Sequence, residues 1–206
     1  MISAIDPATG ATLARYRAHD DAEVERRLRL AAERFRDWRR VPVEERAARL
    51  AAAGEWLTAE REPLAAIMTG EMGKLLSASL AEVDKCAWVC RYYAEHAAEF
   101  LTPEPVDAGH AAARVRFDPI GPVLAVMPWN FPLWQVFRFA APALAAGNVG
   151  LLKHASNVPG CALAIERVFA EAGFPEGCFQ TLLVGSAAVA PVIADQRVAA
   201  VTLTGS

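Results

Sequence analysis

The chain has 206 residues, 54% of them apolar and 22% charged, with 21 basic against 24 acidic side chains. A sequence this long and this apolar folds around a buried core, which excludes a disordered segment and a disulfide-stapled miniprotein. With a net charge of −3 and no run of basic residues longer than two, it offers no electrostatic footprint for a nucleic acid. Four cysteines and a start without a charged n-region or an apolar h-region indicate a reducing, cytoplasmic setting. The stretch from Pro119 to Phe137 carries no formal charge, but its prolines would leave a lipid-exposed helix unpaired, so no membrane span is expected.

Charge divides the chain near Asp118: residues 1–118 hold 17 basic and 20 acidic side chains, residues 119–206 only four of each. The first part reads as exposed amphipathic helices and the second as a covered parallel sheet. In chain order, Ile5 to Leu13 carries Asp6-Pro7 and Thr9-Gly10 between apolar flanks, a hairpin signal. From Asp20 or Asp21 as N-cap, Val24, Leu28, Ala31, Phe35 and Trp38 recur at helical spacing. Pro42 opens a second helix burying Val43, Ala47, Leu50 and Leu57, and a third runs roughly from Ser77 to Leu101. Arg114 to Asp118 reads as a strand with a solvated face.

The second part alternates strand and helix: strands Val123 to Met127, Val149 to Lys153, Phe179 to Val184 and Val198 to Thr204, with helices Trp134 to Ala146, Val158 to Ala172 and Ala187 to Ala194 between them. Such alternation predicts a Rossmann-like α/β fold with a parallel sheet. The expected organisation is therefore a segment of hairpin and helices over 1–118 and the first part of a parallel α/β sheet over 119–206. Because the final strand is followed by no covering helix, the sheet is expected to be incomplete at its C-terminal side.

Several familiar chemistries lack their signatures: there is no G-x-x-x-x-G-K-[ST], no G-x-G-x-x-G, no G-x-S-x-G and no H-E-x-x-H. Cys86 and Cys90, four apart on a helix, read as a buried pair, and no metal site is expected. Cys161 and Cys178 have no neighbouring histidine and read as packing residues.

Pro128-Trp129-Asn130-Phe131-Pro132 differs, because it follows the first parallel strand, at the end where open α/β sheets bind ligands. Two prolines fix the backbone around Asn130, whose NH₂ can be aimed at an oxygen gaining negative charge. The alternative is a rigid turn in which Asn130 bonds its own backbone. Lys153 ends the second strand on the same edge and can offer ammonium donors to hydroxyls or phosphate. Gly205-Ser206 closes the fourth strand, where close backbone approach suits a phosphate. Groups at three strand ends of one sheet suggest a nucleotide site.

These residues resemble the aldehyde dehydrogenase superfamily, whose cofactor-binding half carries P-W-N-F-P, a lysine after the next strand and a strand ending in T-G-S. The resemblance extends through Glu71-Met72-Gly73-Lys74, Ala146-Gly147-Asn148 and Ala172 to Gly177, nearly the whole chain. Lys153-His154-Ala155-Ser156 departs from the commoner form, which has proline after the lysine and often glutamate at the place of Ser156; it is similar to the NAD(P)-dependent succinate-semialdehyde dehydrogenase branch. A serine there removes a carboxylate that would repel a 2′-phosphate, so NADP is expected to be accepted as well as NAD, or preferred.

The resemblance implies a cysteine thiolate attacking an aldehyde, the oxyanion held by Asn130, hydride passing to the nicotinamide, and a glutamate-activated water releasing the acid. It implies that Met127, Pro128, Trp129 and Asn130 border the nicotinamide, Lys153, His154, Ala155 and Ser156 the adenosine ribose, Gly185 the adenine side, and Gly205 and Ser206 the pyrophosphate. Arg138 is a candidate for attracting a dicarboxylic semialdehyde. In the family, the nucleophile and general base both lie C-terminal to T-G-S, and none of the four cysteines here takes the nucleophile's place.

The chain is therefore expected to be the N-terminal portion of an enzyme, inactive and aggregating when made alone, with the Arg114 to Asp118 strand unpaired. The intact relative is expected to be a dimer or tetramer acting on a small aldehyde. Alternatives are a catalytically dead dinucleotide-binding module and an acylating member passing its thioester to coenzyme A or phosphate.

Overall fold

A computed structural model describes residues 1–109 and 112–205. The chain opens with an antiparallel hairpin, β1 (Ile2–Ile5) and β2 (Thr12–Tyr16), turned by Asp6, whose carboxylate accepts the Ala8 N–H and the Thr9 hydroxyl. Helix α1 (Asp21–Trp38) is capped by Asp20, whose Oδ1 accepts the Glu23 N–H at 3.0 Å. It buries Leu28, Ala31 and Trp38, the stripe its spacing predicted.

Three further helices follow: α2 (Val43–Ala59), α3 (Arg61–Met72) and α4 (Leu76–Phe100). The expected three helices of this segment are thus four. Only Glu60, at φ −96°, ψ 23°, separates α2 from α3; Pro63, in the first turn of α3, has no N–H to offer the Ala59 carbonyl and so marks the break. Gly73, in the left-handed conformation at φ +71°, ends α3, where a side chain would be strained.

A second hairpin joins β3 (Glu104–Asp107) to β4 (Ala112–Val115). This corrects the expectation of an unpaired strand over Arg114 to Asp118. The strand lies a little earlier and pairs antiparallel with β3, whose residues are all exposed and so show no apolar alternation to read. Arg116 and Asp118 lie beyond it and form an ion pair at 2.9 Å.

The remainder is the parallel sheet: β5 (Pro122–Met127), α5 (Trp134–Ala145), β6 (Val149–His154), α6 (Pro159–Glu171), β7 (Phe179–Thr181), a 3₁₀ turn at Ser186–Ala188, α7 (Val189–Ala194) and β8 (Ala200–Leu203). The strand order is β7-β6-β5-β8, all neighbours parallel. The chain steps outward from β5 to β6 to β7 and then returns to the far side of β5. Right-handed crossovers therefore put α5 and α6 on one face and α7 on the other. Helices α2, α3 and α4 back α5 and α6, while α1 packs on the strands beside α7. The reversal falls between β5 and β8, so the carboxyl ends of these strands frame the crevice where such sheets bind ligands. Among the described residues, no helix is long and apolar enough to cross a membrane.

Candidate active site at the sheet edge

Register aligns the strand ends. Val126 pairs with Lys153 on one side and Leu203 on the other, Met127 pairs with His154, and the Thr204 N–H donates to the Val126 carbonyl at 3.1 Å. With strands about 4.8 Å apart, four ends make an edge about 14 Å long. Asn130, Lys153 and Thr204-Gly205, separated by tens of residues in sequence, meet along it. Ser206 lies outside the described residues.

Between β5 and α5 the chain forms an arch, residues 128–132. Trp129, Asn130 and Phe131 stand exposed on it, and the Asn130 amide makes no hydrogen bond among the described residues. The alternative in which Asn130 bonds its own backbone is therefore not what is seen. Lys153 is 9% exposed and has no hydrogen-bond or ion-pair partner among the described residues; burial holds its ammonium pKa below the ordinary value. Ser156 is exposed in the turn after β6, and Gly185 is exposed after β7. Met127 is buried, leaving its backbone for any ligand, and its carbonyl accepts the Ala155 N–H. Arg138, on α5, reaches across the reversal point to the Thr204 hydroxyl at 3.4 Å.

The sequence reading missed the buried carboxylates that set this edge. Glu82 on α4 is 4% exposed; its Oε1 accepts the Leu133 and Trp134 N–H groups, each at 2.9 Å, and its Oε2 pairs with Lys74. It thus caps the start of α5. The Lys74 ammonium also lies 3.9 Å from the Phe131 ring centroid, and Lys85 lies 3.9 Å from that of Trp134. The chain has three lysines against eighteen arginines, and all three stand around this arch or the adjoining strand end.

Glu71 does the same for α6: Oε1 accepts the Gly160 N–H at 2.7 Å and Oε2 the Cys161 N–H at 2.9 Å. Burial raises its pKa, opposed by these two bonds. Both helix starts that would attract a phosphate next to β5 and β6 are thus filled by protein carboxylates. A Cβ on residue 160 would lie 2.7 Å from Glu71 Oε1, so any residue other than glycine there displaces the carboxylate. Gly160→Ala is expected to cost about 1–3 kcal/mol through the displaced carboxylate, lowering the melting temperature by about 2–4 °C per kcal/mol. An unchanged calorimetric melt would show that the carboxylate moves aside freely.

The histidine of Lys153-His154-Ala155-Ser156 is 5% exposed and turned inward. Nδ1 accepts the Ala155 N–H at 2.8 Å, which fixes the proton on Nε2, and Nε2 donates to the Pro132 carbonyl at 2.8 Å. Burial pushes its pKa down to about 4, so the ring is neutral near pH 7. Both ring nitrogens are thus committed within the protein.

All four thiols are buried. Burial holds those of Cys86 and Cys161 well above the ordinary range and pushes Cys90 and Cys178 up to about 12. Among the described residues, no cluster of side chains suits a metal ion.

The parallel order, the reversal between β5 and β8, and the polar groups gathered at their carboxyl ends define an open, doubly wound type of α/β protein with a ligand crevice at the reversal. The model of the aldehyde dehydrogenase family matches residues 1–206, and the chain belongs to that family. It is 56% identical over 208 residues to succinate-semialdehyde dehydrogenase (NADP(+)) 1 of Mycobacterium tuberculosis, covering all of this chain and 46% of the relative. It is 54% identical over 209 residues to succinate-semialdehyde dehydrogenase (NADP(+)) of Mycobacterium avium, covering 44% of that protein. In structure it superposes with a TM-score of 0.97 and 38% identity on succinic semialdehyde dehydrogenase from Streptococcus pyogenes, solved with NADP+ as the cofactor, covering this whole chain and 46% of the other. The chain thus spans less than half the length of these relatives.

Proposed function

We propose that the protein carrying this chain oxidises succinate semialdehyde to the acid with NADP+, and that these residues supply the cofactor edge and the oxyanion donor. The observation that carries the reading is the row of Asn130, Lys153 and Ser156 along one sheet edge, each with free hydrogen-bonding capacity among the described residues. The naming of the relatives at 54–56% identity supports the substrate and the phosphate-bearing cofactor.

NADP+, when bound, accepts the hydride. Lys153, desolvated and unpaired, would donate to ribose hydroxyls or the 2′-phosphate, and Ser156 would add a hydroxyl where a carboxylate would repel that phosphate. Trp129 and Asn130 would lie at the nicotinamide end, Gly185 beside the adenine, and Gly205 with Ser206 near the pyrophosphate. Asn130 would hold the aldehyde oxygen as its charge develops. Arg138 would contribute positive charge toward the distal carboxylate of the semialdehyde.

None of the four thiols is poised to ionise near neutral pH, so the attacking thiolate would come from a part of the protein beyond these residues, as would the general base. The chain by itself would be inactive.

The test is NADPH formation by the full protein with succinate semialdehyde, beside NAD+ and beside aldehydes lacking the distal carboxylate. No turnover with any of them overturns the reading. Ser156→Glu is expected to lower kcat/KM for NADP+ by about tenfold to a hundredfold while leaving NAD+ less affected, since like charges brought together cost several kcal/mol. Equal effects on both cofactors would show that Ser156 does not face the phosphate.

A further inference from the structure

The arch that presents Asn130 has two feet, and both rest on consecutive residues at the end of β6. At the first foot the Met127 carbonyl accepts the Ala155 N–H at 3.0 Å. At the second the Pro132 carbonyl accepts the His154 Nε2–H at 2.8 Å. The Ala155 N–H is shared, since it also reaches His154 Nδ1 at 2.8 Å, so ring, amide and both carbonyls form one closed set of bonds.

The second foot needs an outside donor. The first turn of α5 leaves the Pro132 carbonyl aside: the Gln135 N–H goes to Phe131 and the Val136 N–H to Leu133. Pro132 is buried, so water cannot serve it. Imidazole fits because it accepts at one nitrogen while donating at the other, and the Ala155 N–H selects the tautomer that donates toward Pro132.

We propose that His154 is a positioning residue for Asn130: its neutral ring pins the second foot of the arch to the end of β6 and so fixes the aim of the Asn130 amide. This rests on the function proposed above. Both ring nitrogens are committed to the protein's own backbone. The ring acts through Pro132, two residues from Asn130. Because Ala155 and Ser156 continue directly from it, the turn proposed to carry the ribose and the arch proposed to carry the oxyanion donor share one hydrogen-bonded base.

The experiment compares His154→Phe and His154→Gln with the wild type in the full protein, reading hydrogen exchange over residues 129–136 and steady-state kinetics. Phenylalanine keeps a planar ring of similar size without either nitrogen. Glutamine restores an acceptor and a donor. His154→Phe is expected to raise arch exchange about tenfold or more and to lower kcat by about tenfold to a hundredfold, as small misplacements do, with KM for NADP+ changed less than about threefold. His154→Gln is expected to recover most of both losses.

Arch exchange unchanged in His154→Phe overturns the proposal. So does a fall in kcat matched by an equal rise in KM for NADP+, which would put the ring in the ribose site. If glutamine does no better than phenylalanine, the two nitrogens are not what matters, and the proposal fails as well. Should His154→Phe not fold, His154→Asn replaces it, because its shorter side chain cannot reach Pro132. A wild-type protein without turnover would sink the functional reading alone, and the exchange comparison would still decide the role of His154.

Discussion

Glu82→Ala is expected to produce a large loss of stability. One buried carboxylate holds three groups: the Leu133 and Trp134 N–H at the start of α5 and the ammonium of Lys74. Removing it strands two backbone donors and leaves Lys74, whose side chain is 11% exposed, without its counter-charge. Breaking a buried pair from one side costs about 3–5 kcal/mol, against a total of about 5–15 kcal/mol for a typical protein. The melting temperature should fall by about 6–20 °C, at about 2–4 °C per kcal/mol for a chain of this size. Glu82→Gln should fall less, since the amide oxygen still accepts from α5. Lys74→Met in the Glu82→Ala background should recover part of the loss, because the stranded charge goes with it. Calorimetry on the four proteins checks this, and equal melts for Glu82→Ala and wild type would mean that the cap contributes nothing.

The way Glu82 escaped the sequence reading shows which parts of the site local pattern can reveal. In Ala81-Glu82-Val83-Asp84-Lys85 nothing nearby distinguishes the buried acid from exposed Asp84, which pairs with Arg61. A signal was present at longer range: Glu82 is helically in phase with Cys86 and Val89, on the stripe that faces the core. An acid on such a stripe demands partners, and the start of α5 supplies them. His154 is a similar case, a polar residue ending a strand buried throughout, whose bonds join segments 22 residues apart.

The parallel sheet was legible because its strands are apolar runs punctuated by Gly, Pro and Asn, and the motifs fall at their ends. The break between α2 and α3 and the pairing of β3 with β4 were missed. The first carried a signal in Pro63, which cannot continue α2 and sits in the first turn of α3, while the second has no buried face to impose alternation on the sequence.

The largest expected effect on catalysis is at Asn130. Its amide is the planar, short-armed donor at the centre of the arch, beside the indole N–H of Trp129, while Phe131 and the flanking prolines offer no side-chain donor. If the proposed reaction holds, the donor matters little to the bound aldehyde and much to the oxyanion formed from it, so its loss should appear in kcat and not in KM. Removing one such donor costs about a hundredfold to a thousandfold in rate. Asn130→Ala in the full protein is therefore expected to lower kcat by that factor with KM for aldehyde and NADP+ nearly unchanged. Asn130→Asp is nearly isosteric but turns the donor into a negative charge facing the developing oxyanion, so it should be slower still near neutral pH. A kcat for Asn130→Asp equal to or above that of Asn130→Ala would show that the amide does not face the reacting oxygen. A shared loss in KM and kcat would instead make Asn130 a binding residue. The two variants together separate transition-state stabilisation from simple contact, because only the former depends on the sign of the charge at residue 130.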